Sequence, residues 1–121
     1  LIYIQIKILV ANVKKVSANV ANSMINHDNG VYVDVRPAKL FAAGHITGAV
    51  NIVLLDVKQG KLNRIENYKY KPVILVGKNR GDTECFNAAV SLKKQGYTKV
   101  YTLEGGIDQW ALENFPLTTK D

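Results

Sequence analysis

The chain has 121 residues, a formal net charge of +6, 47% hydrophobic and 21% charged residues. That is one ordinary globular domain, too short for a second and too apolar, with too little Pro and Gly, for disorder. One cysteine, Cys85, and two separated histidines, His27 and His45, exclude an intrachain disulfide framework and a Cys-built zinc site, and no metal or cofactor is expected.

The basic residues are scattered, in pairs such as Lys14-Lys15 and Lys93-Lys94, with no run of five. The excess reads as a solvated surface, and no nucleic-acid partner is expected. Attraction for small anions follows from the sign of the charge.

The opening LIYIQIKILV has only Gln5 and Lys7 as polar residues, and it alternates from Tyr3 to Ile8. A bilayer needs about 20 apolar residues in a helix, so this stretch alone does not span one. Two expectations stand. One is a strand or apolar arm packed on the domain or on another copy. The other is the end of a membrane anchor that begins upstream, with Lys14-Lys15 on the cytoplasmic side. Residues 1–15 are set apart as this arm, and 16–121 as the folded domain.

Ser17 is a helix N-cap before Ala18 to Ile25. Asp28-Asn29-Gly30 signals a turn. VYVDV, residues 31–35, is a β-branched and aromatic strand. Pro37 opens a short helix that Gly44 ends. AVNIVLL, from Ala49, reads as a strand, and the polar stretch from Lys58 to Tyr70 as a short helix or irregular loop. PVILV, residues 72–76, shows no alternation, which marks a central strand buried on both faces. A loop from Gly77 to Thr83 leads to a helix over Glu84 to Lys94, with Phe86, Ala88 and Ala89 facing inward. KVYTL, from Lys99, is a strand, and Gly105-Gly106 opens a last helix through Trp110. Strands alternating with helices predict an open, mostly parallel α/β sheet.

Two stretches carry a family resemblance. VDVRPAKLFAAGHITGAVNI, residues 33–52, resembles the N-terminal signature of rhodanese-like domains. LEGGIDQWALENFPL, residues 103–117, resembles their C-terminal signature. The likeness runs from about Val16 to Leu117, in particular to small single-domain bacterial members, some tethered to the inner membrane by an N-terminal helix. It implies a five-stranded, mostly parallel sheet with helices on both faces and a cytoplasmic domain. It also implies sulfur transfer. A cysteine directly after the central strand takes the outer sulfur of thiosulfate as a persulfide, within a loop whose N–H groups point inward. Such a nest beside a helix N-terminus stabilises anions and lowers a thiol pKa.

Here the loop is VGKNRGDTECFN, residues 76–87. The nucleophile position falls on Gly77 counted from the strand, or on Asn79 counted back from the next helix. Neither is a cysteine, so the resemblance breaks at the residue that carries the chemistry. Gly77, Lys78, Asn79, Arg80, Gly81, Asp82 and Thr83 remain as a candidate loop for thiosulfate, sulfate or phosphate. Cys85 is the one candidate nucleophile. It is either a small apolar residue turned to the core or a displaced nucleophile activated by the helix N-terminus and Arg80, with Asp82 and Glu84 opposing. Asp34, Arg36 and His45 are expected to be buried braces, and Trp110 a core anchor. The expected function is a degenerate member of the family that binds an anion or a protein, with sulfur transfer through Cys85 as the alternative.

Overall fold

The computed structural model describes residues 13–120. The strand or anchor expected within Leu1 to Val10 lies outside them.

Five parallel strands form one sheet: β1 (Lys14–Val16), β2 (Val31–Asp34), β3 (Val50–Asn51), β4 (Val73–Val76) and β5 (Val100–Leu103). Their order is β1-β5-β4-β2-β3. Four α-helices lie in the connections, α1 (Ala18–Asp28), α2 (Ala38–Ala43), α3 (Leu54–Lys58) and α4 (Thr83–Lys94), and α5 (Gly106–Leu112) follows β5. Two short 3-10 turns cover Asn63–Tyr68.

The unalternated VILV run is the centre of the molecule. All four β4 residues are fully buried. Val73 and Leu75 enter one core with Val33, Ala88, Ala89, Leu92 and Val57. Ile74 and Val76 enter the opposite core with Tyr32, Ala18, Ala21, Ile107 and Trp110. A period of two thus splits one strand between two apolar layers, α3 and α4 on one side and α1 and α5 on the other. This is the two-faced α/β sheet expected from the sequence.

Local expectations hold at several ends. The Ser17 hydroxyl accepts from the Val20 N–H at 3.2 Å, as an N-cap should. Trp110 is a core anchor, edge-on to Tyr32 at 5.7 Å, with its indole N–H donating to the Pro116 carbonyl at 2.9 Å.

Other details differ from expectation. Helix α1 runs on to Asp28, and Asn29 ends it in the left-handed region. The strand read from Ala49 shrinks to Val50–Asn51, because the chain turns at Val53 into α3 to bury Val57. Lys14–Val16 pairs with β5 as an edge strand, in register Lys14 to Tyr101 and Val16 to Leu103. The division expected at residue 15 falls inside this strand. Phe86 is 46% exposed, because it lies on the flank of the buried α4 stripe of Cys85, Ala88, Ala89 and Leu92.

The buried polar residues are braces. Asp34 is fully buried and Arg36 almost so; Arg36 Nη2 donates to Asp34 Oδ2 at 2.9 Å and to the Gly44 carbonyl at 2.7 Å. The pair ties the end of β2 to the end of α2. His45 stacks on Phe41 and exchanges two backbone hydrogen bonds with Thr118, which fastens the C-terminal segment. No helix among the described residues is long and apolar enough to cross a membrane.

Leu75→Ala should lower the free energy of unfolding by about 2–5 kcal/mol, because the cavity would open between two close-packed layers. Urea denaturation measures this, and a loss below about 1 kcal/mol would contradict the two-faced burial of β4.

Candidate active-site loop

In a parallel sheet the strand C-termini share one edge, where ligands of open α/β folds gather. Here the register pairs Asp34 with both Val76 and Asn51, so the ends of β2, β3 and β4 stand level. The loop from Gly77 to Asp82 leaves this edge and enters α4. Gly77 follows the strand directly, so the strand-end count places it at the expected nucleophile position.

The loop rests on the start of α5. The Ile107 N–H donates to the Gly77 carbonyl at 2.9 Å, and the Asp108 N–H to the Lys78 carbonyl at 3.2 Å. Gly106 makes this approach close: a Cβ there would lie 2.7 Å from the Gly77 carbonyl oxygen and 2.8 Å from the Asn79 nitrogen. The second glycine of the Gly-Gly pair is thus the seat of the loop.

Inside the loop the backbone donors are met by the chain itself. Lys78 N–H donates to Asp82 Oδ2 at 2.7 Å, and Cys85 N–H to Asp82 Oδ1 at 3.2 Å. Gly81 N–H donates to Asn79 Oδ1 at 3.1 Å. Asp82 is the N-cap of α4, which therefore starts at Thr83, one residue earlier than expected. A Cβ built on Gly77 would meet Asp82 Oδ2 at 2.6 Å and Cys85 Cβ at 2.9 Å. The place a side chain of residue 77 would occupy is filled by the Asp82 carboxylate.

Cys85 is 5% exposed and belongs to the core shared with Ala88 and Leu92. Burial, then the carboxylates of Asp82 and Asp34, push its thiol up to about 12. The cation expected to activate it, Arg80, has an exposed side chain, and the helix N-terminal N–H of Cys85 is spent on Asp82.

The expected site residues do come together. Gly77, Asn79, Arg80, Gly81, Asp82, Thr83 and Cys85 line one open cleft of about 280 Å³. Lys78 is exposed beside them. Lys15, Phe86, Thr102, Leu103 and Gly105 complete the wall and were not foreseen. No single-sequence signal joins Lys15 to this site, since only the β1–β5 pairing brings it there. The inward turn of Asp82 had a signal, an Asp directly before a helical run.

The sequence and the fold have counterparts in known proteins. Residues 17–113 match the model of the family described as Rhodanese-like domain. The chain is 35% identical over 111 residues to the uncharacterized protein YibN of Escherichia coli K12, covering 92% of this chain and 76% of that protein. It is 30% identical over 101 residues to the thiosulfate sulfurtransferase GlpE of Pseudomonas putida, covering 80% of this chain and 84% of that one. Among solved structures, the BH2092 protein of Bacillus halodurans superposes with a TM-score of 0.75 at 23% identity, over 89% of this chain and 82% of that chain. With a signature at each end, a central strand leading into the loop, and these counterparts, the chain belongs to the rhodanese-like domain family.

Proposed function

We propose that this rhodanese-like domain no longer transfers sulfur and acts as a binding module. The observation that carries the proposal is Gly77. It sits directly after β4, where the count from the strand places the reactive cysteine, and it has no side chain to react; Asn79, the position counted back from the next helix, carries no thiol either. The likeness to a thiosulfate sulfurtransferase supports descent from that chemistry.

The remaining sulfur is poorly suited to replace the missing one. With its thiol at about 12, the thiolate is about one part in 10⁵ at pH 7. Asp82 at the first turn of α4 also cancels the local positive potential that would help a thiolate there. One observation favours a second reading. Cys85 lines the cleft, and its Cβ lies 2.9 Å from the place a Cβ of residue 77 would take. Sulfur transfer through a Cys85 persulfide is therefore the alternative.

As a module, the domain offers the open cleft beside the exposed Phe86, with the exposed Lys15 and Arg80 at its rim. These suit a protein segment that presents an apolar and an acidic side chain. Thiosulfate, sulfate or phosphate is the other ligand class. A cytoplasmic domain tethered to the inner membrane belongs to the same proposal, supported by the apolar LIYIQIKILV and by Lys14-Lys15.

Incubation with thiosulfate should leave the intact mass unchanged, and thiocyanate release from thiosulfate and cyanide should stay at background. Gain of one sulfur atom, with turnover abolished by Cys85→Ala, would establish the alternative and overturn the degenerate reading.

The thiol makes a separate prediction. A raised thiol pKa keeps the neutral form favoured by the fold, so the associated stability is lost as pH rises from the ordinary thiol range toward about 12. At about pH 8, a disulfide reagent should react with folded Cys85 about a thousandfold or more slowly than in urea, from the thiolate fraction alone. Comparable rates would contradict the buried, carboxylate-flanked setting.

A further inference from the structure

We propose that Asp82 is an internal anion that closes the active-site loop, to external anions and to any side chain at position 77 alike. The inference rests on the reading of Gly77 as the vacated nucleophile position, but it fails or stands separately from it.

Three observations converge. The two carboxylate oxygens of Asp82 each take one backbone donor of the loop, from Lys78 and from Cys85. A charged acceptor makes these stronger than neutral hydrogen bonds. Second, Asp82 Oδ2 stands 2.6 Å from the site of a Cβ on Gly77, closer than any two such atoms can come. A side chain at 77 and the present Asp82 rotamer exclude each other. Third, the carboxylate opposes any thiolate formed beside it, as it already does for Cys85. Glycine at 77 and aspartate at 82 are thus one arrangement. The first makes room, and the second fills it and satisfies the donors that would otherwise face a ligand.

This predicts how the lost chemistry returns. A cysteine at 77 would attack the outer sulfur of thiosulfate as its thiolate. The S–S bond of thiosulfate breaks, sulfite leaves with the bonding pair, and the enzyme holds a persulfide. Cyanide then attacks the outer persulfide sulfur, thiocyanate leaves, and the thiolate is regenerated. The thiolate and the thiosulfate dianion both need the inward N–H groups that Asp82 now holds.

The test compares Gly77→Cys with Gly77→Cys/Asp82→Ser, both carrying Cys85→Ala so that one thiol is present. Serine is chosen because it still caps a helix while removing the carboxylate. Circular dichroism and urea melts establish that both fold. Thiocyanate release should be about tenfold or more faster in the variant with serine at 82 than in Gly77→Cys, and only the faster one should accumulate the persulfide by intact mass. Equal turnover would overturn the proposal, as would a folded but inert Asp82→Ser variant. A second measurement needs no rescue. In a background that keeps Gly77, Asp82→Ser should give saturable thiosulfate-induced shifts of the Lys78 and Cys85 amides that the natural chain lacks. Identical responses of the two proteins would also overturn it. If instead the natural chain gains sulfur on Cys85, the degenerate reading falls while the Asp82 comparison is still decided by these variants.

Discussion

Two backbone N–H groups, of Lys78 and Cys85, converge on the carboxylate of Asp82, and much of the site follows from that convergence. It caps α4, so the helix starts at Thr83, two residues before the buried Cys85. It lies over the strand end, where a Cβ on Gly77 would meet its Oδ2 at 2.6 Å. It places negative charge beside the single thiol, adding to the effect of burial. One side chain therefore sets the start of the helix, crowds the place of a Cβ at Gly77 and adds to the burial that keeps the Cys85 thiol neutral.

The convergence depends in turn on the fold beneath it. The four β4 residues are buried from both sides, which fixes where the strand ends and where the loop must begin. From the other side, Gly106 and the first N–H groups of α5 hold the Gly77 and Lys78 carbonyls. The loop is thus gripped on its carbonyl side by α5 and on its N–H side by Asp82. The N–H groups of Lys78, Gly81, Asp82 and Cys85 are met within the chain. What remains available is the outer cleft with Phe86, Lys15 and Arg80, and this is why a binding role is assigned there.

Much of this architecture was legible in the sequence because it rests on strong one-dimensional signals. VILV has no alternation and could only be a two-faced strand. Ser17 before an apolar stretch could cap, and Trp110 after a Gly-Gly pair could anchor. That neither Gly77 nor Asn79 is a cysteine was legible too. The rest was hidden for specific reasons. Lys14-Lys15 reads as solvated surface, yet edge strands commonly carry lysines that discourage further pairing. The apolar run after Asn51 fits a strand or the buried side of a short helix equally well, and packing of Val57 decided it. Phe86 was taken as core by composition, and helical phase turned it outward. Asp82 reads in the sequence as a charge opposing a thiolate at Cys85, because composition gives its sign but not its hydrogen-bond partners. Its place directly before a helical run was the signal for a cap; that the same carboxylate also takes the Lys78 N–H depends on the folded loop.

The most direct test of this account is the scalar coupling across the hydrogen bond between the Lys78 amide nitrogen and the Asp82 side-chain carboxyl carbon, read by NMR on the isotopically labelled natural chain. A measurable coupling is predicted, lost in Asp82→Ser, together with slow exchange of the Lys78 amide with water. Absence of the coupling in the natural chain, with that amide exchanging as freely as those of an open surface loop, would contradict the central role given to Asp82.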